Sequence, residues 1–198
     1  MSRIGLAAIC ISGATAAACG PAPAAKGPER VVHASNVAAP AGVTLVQACT
    51  PTGPELCFNA VDDNCNGVID EGCGVHTGTL QFTVAWNVAT ADVSLSVVTP
   101  AHERVTKGNA SSPSGFHLDR ECPGEDGCGG QNVDNVYFDG FDPPRGHYTV
   151  EIALVDLHGA DPPVQVRFGA RLGSRVVGFD VALAPGDDAK KTLSFDVP

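Results

Sequence analysis

The stretch TLQFTVAW, residues 79–86, places Leu80, Phe82, Val84 and Trp86 on one side of an extended chain and Gln81, Thr83 and Ala85 on the other. Successive side chains of a strand point to opposite faces, so this alternation marks a strand with one face in a core. Working outward, the same period returns in Val93, Leu95 and Val97, and in Tyr148, Val150, Ile152 and Leu154. It returns again in Val164, Val166, Phe168 and Ala170, in Val177, Phe179, Val181 and Leu183, and in Leu193, Phe195 and Val197. Gly, Pro, Asp and Asn punctuate these runs and helical spacing is nearly absent. The reading is therefore all-β. Residues 79–198 are expected to form one antiparallel β-sandwich, jelly-roll or Ig-like, of about seven or eight short strands. Trp86, Phe168 and Phe179 are read as core packing.

Upstream of the strands, Cys49, Cys57, Cys65 and Cys73 recur at intervals of eight around the oxygen-rich run DDNCNGVIDE, residues 62–71. Calcium takes six to eight oxygen ligands, and loops of the EF-hand type place them at positions 1, 3, 5, 7 and 9 with a Gly at 6. Counting from Asp62 gives Asp62, Asn64, Asn66, the Val68 carbonyl and Asp70 at those ligand positions, Gly67 at the turn, and apolar Ile69 at position 8. Cys73 stands at position 12 in place of the usual bidentate Glu, so Glu71 or Glu55 is expected to supply that carboxylate, or water to fill the gap. The competing reading is a solvated turn, because Asp, Asn and Gly favour turns without a metal. Residues 49–74 are thus expected to form a small disulfide-rich calcium-loop module, too short to bury a core alone.

The N-terminus reads as an export signal. Arg3 precedes a short apolar stretch, residues 4–11, and small residues end in Ala16, Ala17, Ala18 and Cys19. The site resembles a bacterial lipobox, which implies a signal peptide over residues 1–18 and lipidation of Cys19. Ala16 stands where that pattern favours Leu, and ordinary cleavage near Ala18 is the alternative. Cys10 leaves with the leader. The remaining six cysteines outside Cys19 make three bridges in an oxidising compartment. Cys122 is expected to pair with Cys128. Three pairings are open among the first four, and a nested one, Cys57 with Cys65 inside Cys49 with Cys73, is the expectation. Residues 19–48, rich in Ala, Pro and Gly up to about residue 43, read as a lipidated N-terminus and flexible linker.

Twelve Lys and Arg face 22 Asp and Glu, a net charge of −10 that becomes one more negative when Arg3 is removed. That balance argues against nucleic acid as a partner. No segment is apolar for long enough to cross a bilayer as a helix, so membrane association is expected through the lipid alone. The location implied is the outer membrane or cell surface, with a periplasmic or secreted chain as the variant.

The run ELCFNAVDDNCNGVIDEGC, residues 55–73, resembles the CNGxDDNCDGxxDE repeat of MopE-type surface proteins and bacterial lipoproteins. Phe58 stands between Cys57 and Asn59, and Ala60 replaces the usual Gly. The resemblance implies a surface or secreted, metal-stabilised module without catalytic chemistry. The segments ADVSLSVV (91–98), HLDRE (117–121), DNVYF (134–138) and PRGHYTVEI (144–152) resemble an uncharacterised YfaP-like bacterial domain. That likeness implies a β-sandwich and a second cation site near Asp92, Asp119, Glu121, Asp134 and Asn135. Ser94 stands where that domain commonly has Asp, removing one ligand, and turn capping by Asp92 and Asp119 is the competing reading. These acids fall partly in a long insertion, residues 99–136, expected to be functional or internally braced.

Catalytic signatures are missing. The six histidines are scattered without metal-ligand spacing, and there is no GxSxG elbow, P-loop or dinucleotide fingerprint. Paired carboxylates between residues 119 and 134 are the remaining route to glycoside hydrolysis. The functional expectation is a non-catalytic surface or secreted lipoprotein that binds protein or glycan or serves in the envelope. The alternative is a carbohydrate-active or peptidase accessory module with calcium-dependent activity.

Overall fold

A computed structural model of the chain describes residues 37–38, 40–46, 49, 51, 53–123 and 128–198. The expected leader, Cys10, Cys19 and most of the linker lie outside the described residues. Within them there are eleven strands and no helix: β1 (Val37–Ala38), β2 (Val43–Val46), β3 (Leu80–Trp86), β4 (Asp92–Val98), β5 (Arg104–Val105), β6 (Phe116–Glu121), β7 (Val133–Phe138), β8 (Gly146–Asp156), β9 (Val164–Leu172), β10 (Arg175–Leu183) and β11 (Lys190–Val197). They form a five-stranded sheet in the order β1-β11-β8-β4-β5 and a six-stranded sheet in the order β2-β10-β9-β3-β7-β6. Every named pairing is antiparallel.

The alternating residues do what their period requires. Leu80, Phe82, Val84 and Trp86 of β3 share one buried cluster with Val93, Leu95 and Val97 of β4, Tyr148, Val150 and Ile152 of β8, and the inward sets of β9, β10 and β11. Rings meet across the two sheets. Phe82 lies 6.4 Å from Tyr148 and 5.6 Å from Phe195, and Phe168 lies 6.0 Å from Phe195 in an edge-on arrangement. Such ring pairs add about 0.5–1.5 kcal/mol each beyond burial.

Three expectations are corrected. The stretch 19–48 is not linker to its end: β1 pairs with β11 in one sheet and β2 pairs with β10 in the other. Val43-Thr-Leu-Val46 is rich in β-branched residues and completes the otherwise open edge of β10, a pairing that the Ala- and Pro-rich composition before it conceals. The insertion over 99–136 is not a bare connection, since β5, β6 and the start of β7 fall within it, with β7 seated between β3 and β6. Its alternation is broken by a bulge at Asp119, where the register passes from Leu118↔Val136 to Arg120↔Asn135.

The third correction concerns the disulfides. Cys122 pairs with Cys128 as expected, but the other four interleave, Cys49 with Cys65 and Cys57 with Cys73. Each of those two links spans sixteen residues, with Cα atoms 5.5 and 5.3 Å apart. Positive φ at Phe58, Ala60, Cys65, Gly67, Asp70, Gly72 and Gly74 coils this segment tightly, so that alternate cysteines come into register. Adjacent ones do not.

A candidate site at the seam between module and sheet

The outward positions of β3 decide where the cysteine module sits. Gln81 and Thr83 point away from the shared core, as does Asn135 on β7, yet all three are fully buried. The module covers them. Gln81 Nε2 donates to the Ile69 carbonyl at 3.2 Å, and Asn135 Oδ1 accepts from Gln81 Nε2 at 3.1 Å and from Thr83 Oγ1 at 2.8 Å. Ile69, the apolar position of the oxygen-rich loop, is itself fully buried. Gly169 on β9 leaves the space this needs, since a Cβ there would lie 2.4 Å from the Ala60 carbonyl oxygen and 3.0 Å from Ile69 Cδ1.

The chain leaving the module is clamped to the same face. Asp119 accepts from the His76 backbone N–H at 2.8 Å and lies 2.5 Å from its Nδ1, while Asn135 Nδ2 donates to the His76 carbonyl at 2.9 Å. Arg120 Nη2 donates to Gly74 O at 2.8 Å. The core that the module is too short to build is supplied by the outer face of the six-stranded sheet.

Inside the module, carboxylates act as hubs for backbone amides. Glu55 accepts from Asp63 N at 3.1 Å, Asn64 N at 3.3 Å and Asp70 N at 2.9 Å. Asp62 accepts from Asn66 N at 3.0 Å and Gly67 N at 2.8 Å, closing the turn at Gly67. Asn64 Nδ2 and Asn66 Nδ2 both donate to Glu71 Oε1, and the other oxygen, Glu71 Oε2, is buried with no protein partner. Four of the expected ligands, Asp62, Asn64, Asn66 and Glu71, are thereby linked in one hydrogen-bonded loop. Asp70 is not with them: it is fully buried, and its two oxygens take the Asn59 and Ala60 amides at 3.2 Å each. Among the described residues, no three His, Cys, Asp or Glu side chains converge as a metal-holding group.

Burial pushes Glu55 up to about 7, with the charge of Glu71 adding to it, and pushes Asp70 up to about 6. Both values exceed those of the unfolded chain, so between about pH 4 and pH 7 the folded state holds protons that the unfolded state has released. Stability from these groups is full below that window and is lost as pH rises through it. With divalent ions chelated, melting temperature is therefore expected to fall between about pH 4.5 and pH 7.5, and Glu55→Gln to flatten the slope. Thermal melts across that range check it.

The residues expected to hold a second cation separate into two places. Neighbours on a strand point to opposite faces, so Asp134 and Asn135 of β7 diverge. Asn135 and Asp119 face the module. Asp134 lies between the sheets, fully buried, accepting from Leu95 N of β4 at 3.0 Å and from Cys122 N at 2.8 Å. Burial pushes its carboxyl well above the usual range against those two bonds, and the charges of Glu121 and Asp92 raise it further. Glu121 is taken by Lys107, whose Nζ lies 2.6 Å away. Asp92 is also pushed up, by burial and then by Glu121. The arrangement is a cross-sheet tie with an ion pair beside it, and the five residues do not form one ligand set.

Where the module stops, an open groove of about 450 Å³ begins. Its floor is one row of outward residues in register across three strands, Ala85 on β3, Arg167 on β9 and Asp180 on β10. Gln165 and Asn87 line one end and Phe58 of the module forms a wall. Phe58 holds φ at 64°, a left-handed conformation costly for a bulky residue, and the Arg120 guanidinium sits 5.7 Å from its ring centre. Sequence reasoning missed these residues. The available signal was the set of polar side chains at the outward positions of the strands around Val166 and Val181. No family model, curated protein or solved structure matches the chain.

Proposed function

We propose that the chain is an exported, non-catalytic binding protein, a two-sheet β-sandwich on whose outer face a calcium-clamped cysteine module builds one wall of a ligand groove. The seam carries this reading. Gln81, Thr83 and Asn135 are polar, outward-facing and fully buried, so the module belongs to the sheet and the groove beside it is a built feature of both. Three disulfides favour an oxidising compartment, and a lipid on Cys19 would hold the protein at the outer membrane or cell surface.

Calcium suits the loop because Glu71 Oε2 is buried without a partner and two amides converge on its other oxygen. Asp62, Asn64, Asn66, the Val68 carbonyl and Glu71 would hold the ion, which supplies positive charge to a strongly acidic segment. Asp70 keeps its structural role on Asn59 and Ala60. Calorimetry of the processed protein tests the ion. At a calcium concentration about a hundredfold above Kd, binding adds about 2.7 kcal/mol, a rise of roughly 5–10 °C in Tm that EDTA reverses. A Tm indifferent to both calcium and EDTA would remove the metal from the proposal.

A further inference from the structure

We infer that the groove between Phe58 and the row Ala85, Arg167 and Asp180 is a binding site for a neutral saccharide. This rests on the binding-protein reading above and names its ligand class. The floor belongs to β3, β9 and β10, which are interior strands of the six-stranded sheet. Their backbone N–H and C=O groups are spent on neighbouring strands, so a peptide cannot add here as a further strand. A ligand on this floor meets side chains only.

Those side chains suit hydroxyl groups, each of which donates and accepts. Arg167 Nη1 lies 3.3 Å from Asp180 Oδ1, with Asp180 about half exposed, so the pair offers a donor fork beside an acceptor while cancelling its own charge. Cancellation disfavours an anionic ligand, as does the net charge of −10. At one end Asn87 Oδ1 accepts from Gln165 N at 3.2 Å, which fixes that amide beside the groove. Ala85 leaves the floor low enough for a flat ring, and Phe58 offers an apolar surface for sugar C–H groups. The volume, about 450 Å³, falls within the range of small-ligand sites, roughly 300–1,000 Å³.

Phe58 is also held firmly at the lip of the groove. It is the residue inserted between Cys57 and Asn59, it occupies a left-handed backbone position, and Arg120 stacks against it.

The chain has a single tryptophan, Trp86, a core residue that also borders the groove, so a ligand-dependent change in its emission is read together with the substitutions below. The experiment titrates the processed, calcium-loaded protein with cello-, manno-, malto- and chito-oligosaccharides, reading Trp86 emission and Tm in the same samples. At least one class is expected to bind saturably. Arg167→Ala and Gln165→Ala should each weaken it about tenfold or more with Tm unchanged, while Gly108→Ala, remote from the groove, leaves it intact. Binding of none of the four, binding that survives both groove substitutions, or binding of a protein or an acidic polysaccharide alone would overturn the inference. If calcium still raises Tm when no saccharide binds, only the ligand class fails. If both responses are absent, the underlying reading fails with it.

Discussion

Asp134→Ala is expected to destabilise the protein by about 3 kcal/mol. Its carboxylate is the acceptor for Leu95 N in one sheet and for Cys122 N beside the other, at 3.0 and 2.8 Å. A buried N–H left without a partner costs about 1–3 kcal/mol, and two are abandoned at once. Opposing this, the substitution relieves a charge that burial, Glu121 and Asp92 all disfavour. The donors win, because Asp134 is fully buried and two amides lose their acceptor while one disfavoured charge is relieved. Asp134→Asn keeps one acceptor and is expected to lose about half as much. Denaturant unfolding gives the magnitudes, and faster amide exchange at Leu95 and Cys122 identifies the cause. A loss below about 1 kcal/mol in the alanine variant would mean that the tie carries no weight.

Gly169→Val is expected to cost about 2–3 kcal/mol and to lift the cysteine module from the sheet. Even the first added carbon would lie 2.4 Å from a backbone oxygen of Ala60, closer than atoms approach, and overpacking of this kind costs about 1–3 kcal/mol. One side must move. β9 is hydrogen-bonded to β3 and β10 along its whole length, whereas the module is held by Ile69 and a few polar contacts, so the module yields. The signature is local: the side-chain amides of Gln81 and Asn135, which donate to Ile69 O and His76 O, lose exchange protection while the backbone amides of β3 and β9 keep theirs. Gly108, with open space around its position, tolerates Ala and serves as the control.

The sheets were legible wherever a strand has one apolar and one polar face. Leu80 to Trp86 and the runs of β8 to β11 alternate cleanly because their outer residues meet solvent or a polar cover. β6 and β7 were not legible, since Asp134 and Asn135 are adjacent, polar and both buried, on opposite faces. Periodicity reads a strand whose outer face is polar, even when that face is covered as in β3, but not one that also sends a carboxylate into the core, as β7 does with Asp134. The cysteine spacing announced disulfides, but pairing depends on the positive-φ turns between them, and only Gly advertises such turns. Phe58, Ala60 and Cys65 adopt them against type. The six proposed calcium ligands divided for a related reason. Asp70 carries the right chemistry at the right interval, yet its carboxylate is drawn to the two amides that the Phe58 and Ala60 turns present. The groove was beyond sequence reasoning because its floor comes from three strands and its wall from a module whose docking only the fold reveals.

Docking of the module on the six-stranded sheet underlies the buried polar seam, the groove and the role given to calcium. The most direct measurement is the nuclear Overhauser contact between the Ile69 δ1 methyl and the Gly169 α-protons in the calcium-loaded, oxidised protein. A Cβ built at Gly169 would stand only 3.0 Å from that methyl carbon, so a strong cross-peak is expected. Backbone relaxation should also give residues 55–74 the same tumbling time as β3 and β9. A missing cross-peak, with the module tumbling faster than the sheet, would contradict the docking and everything built on it.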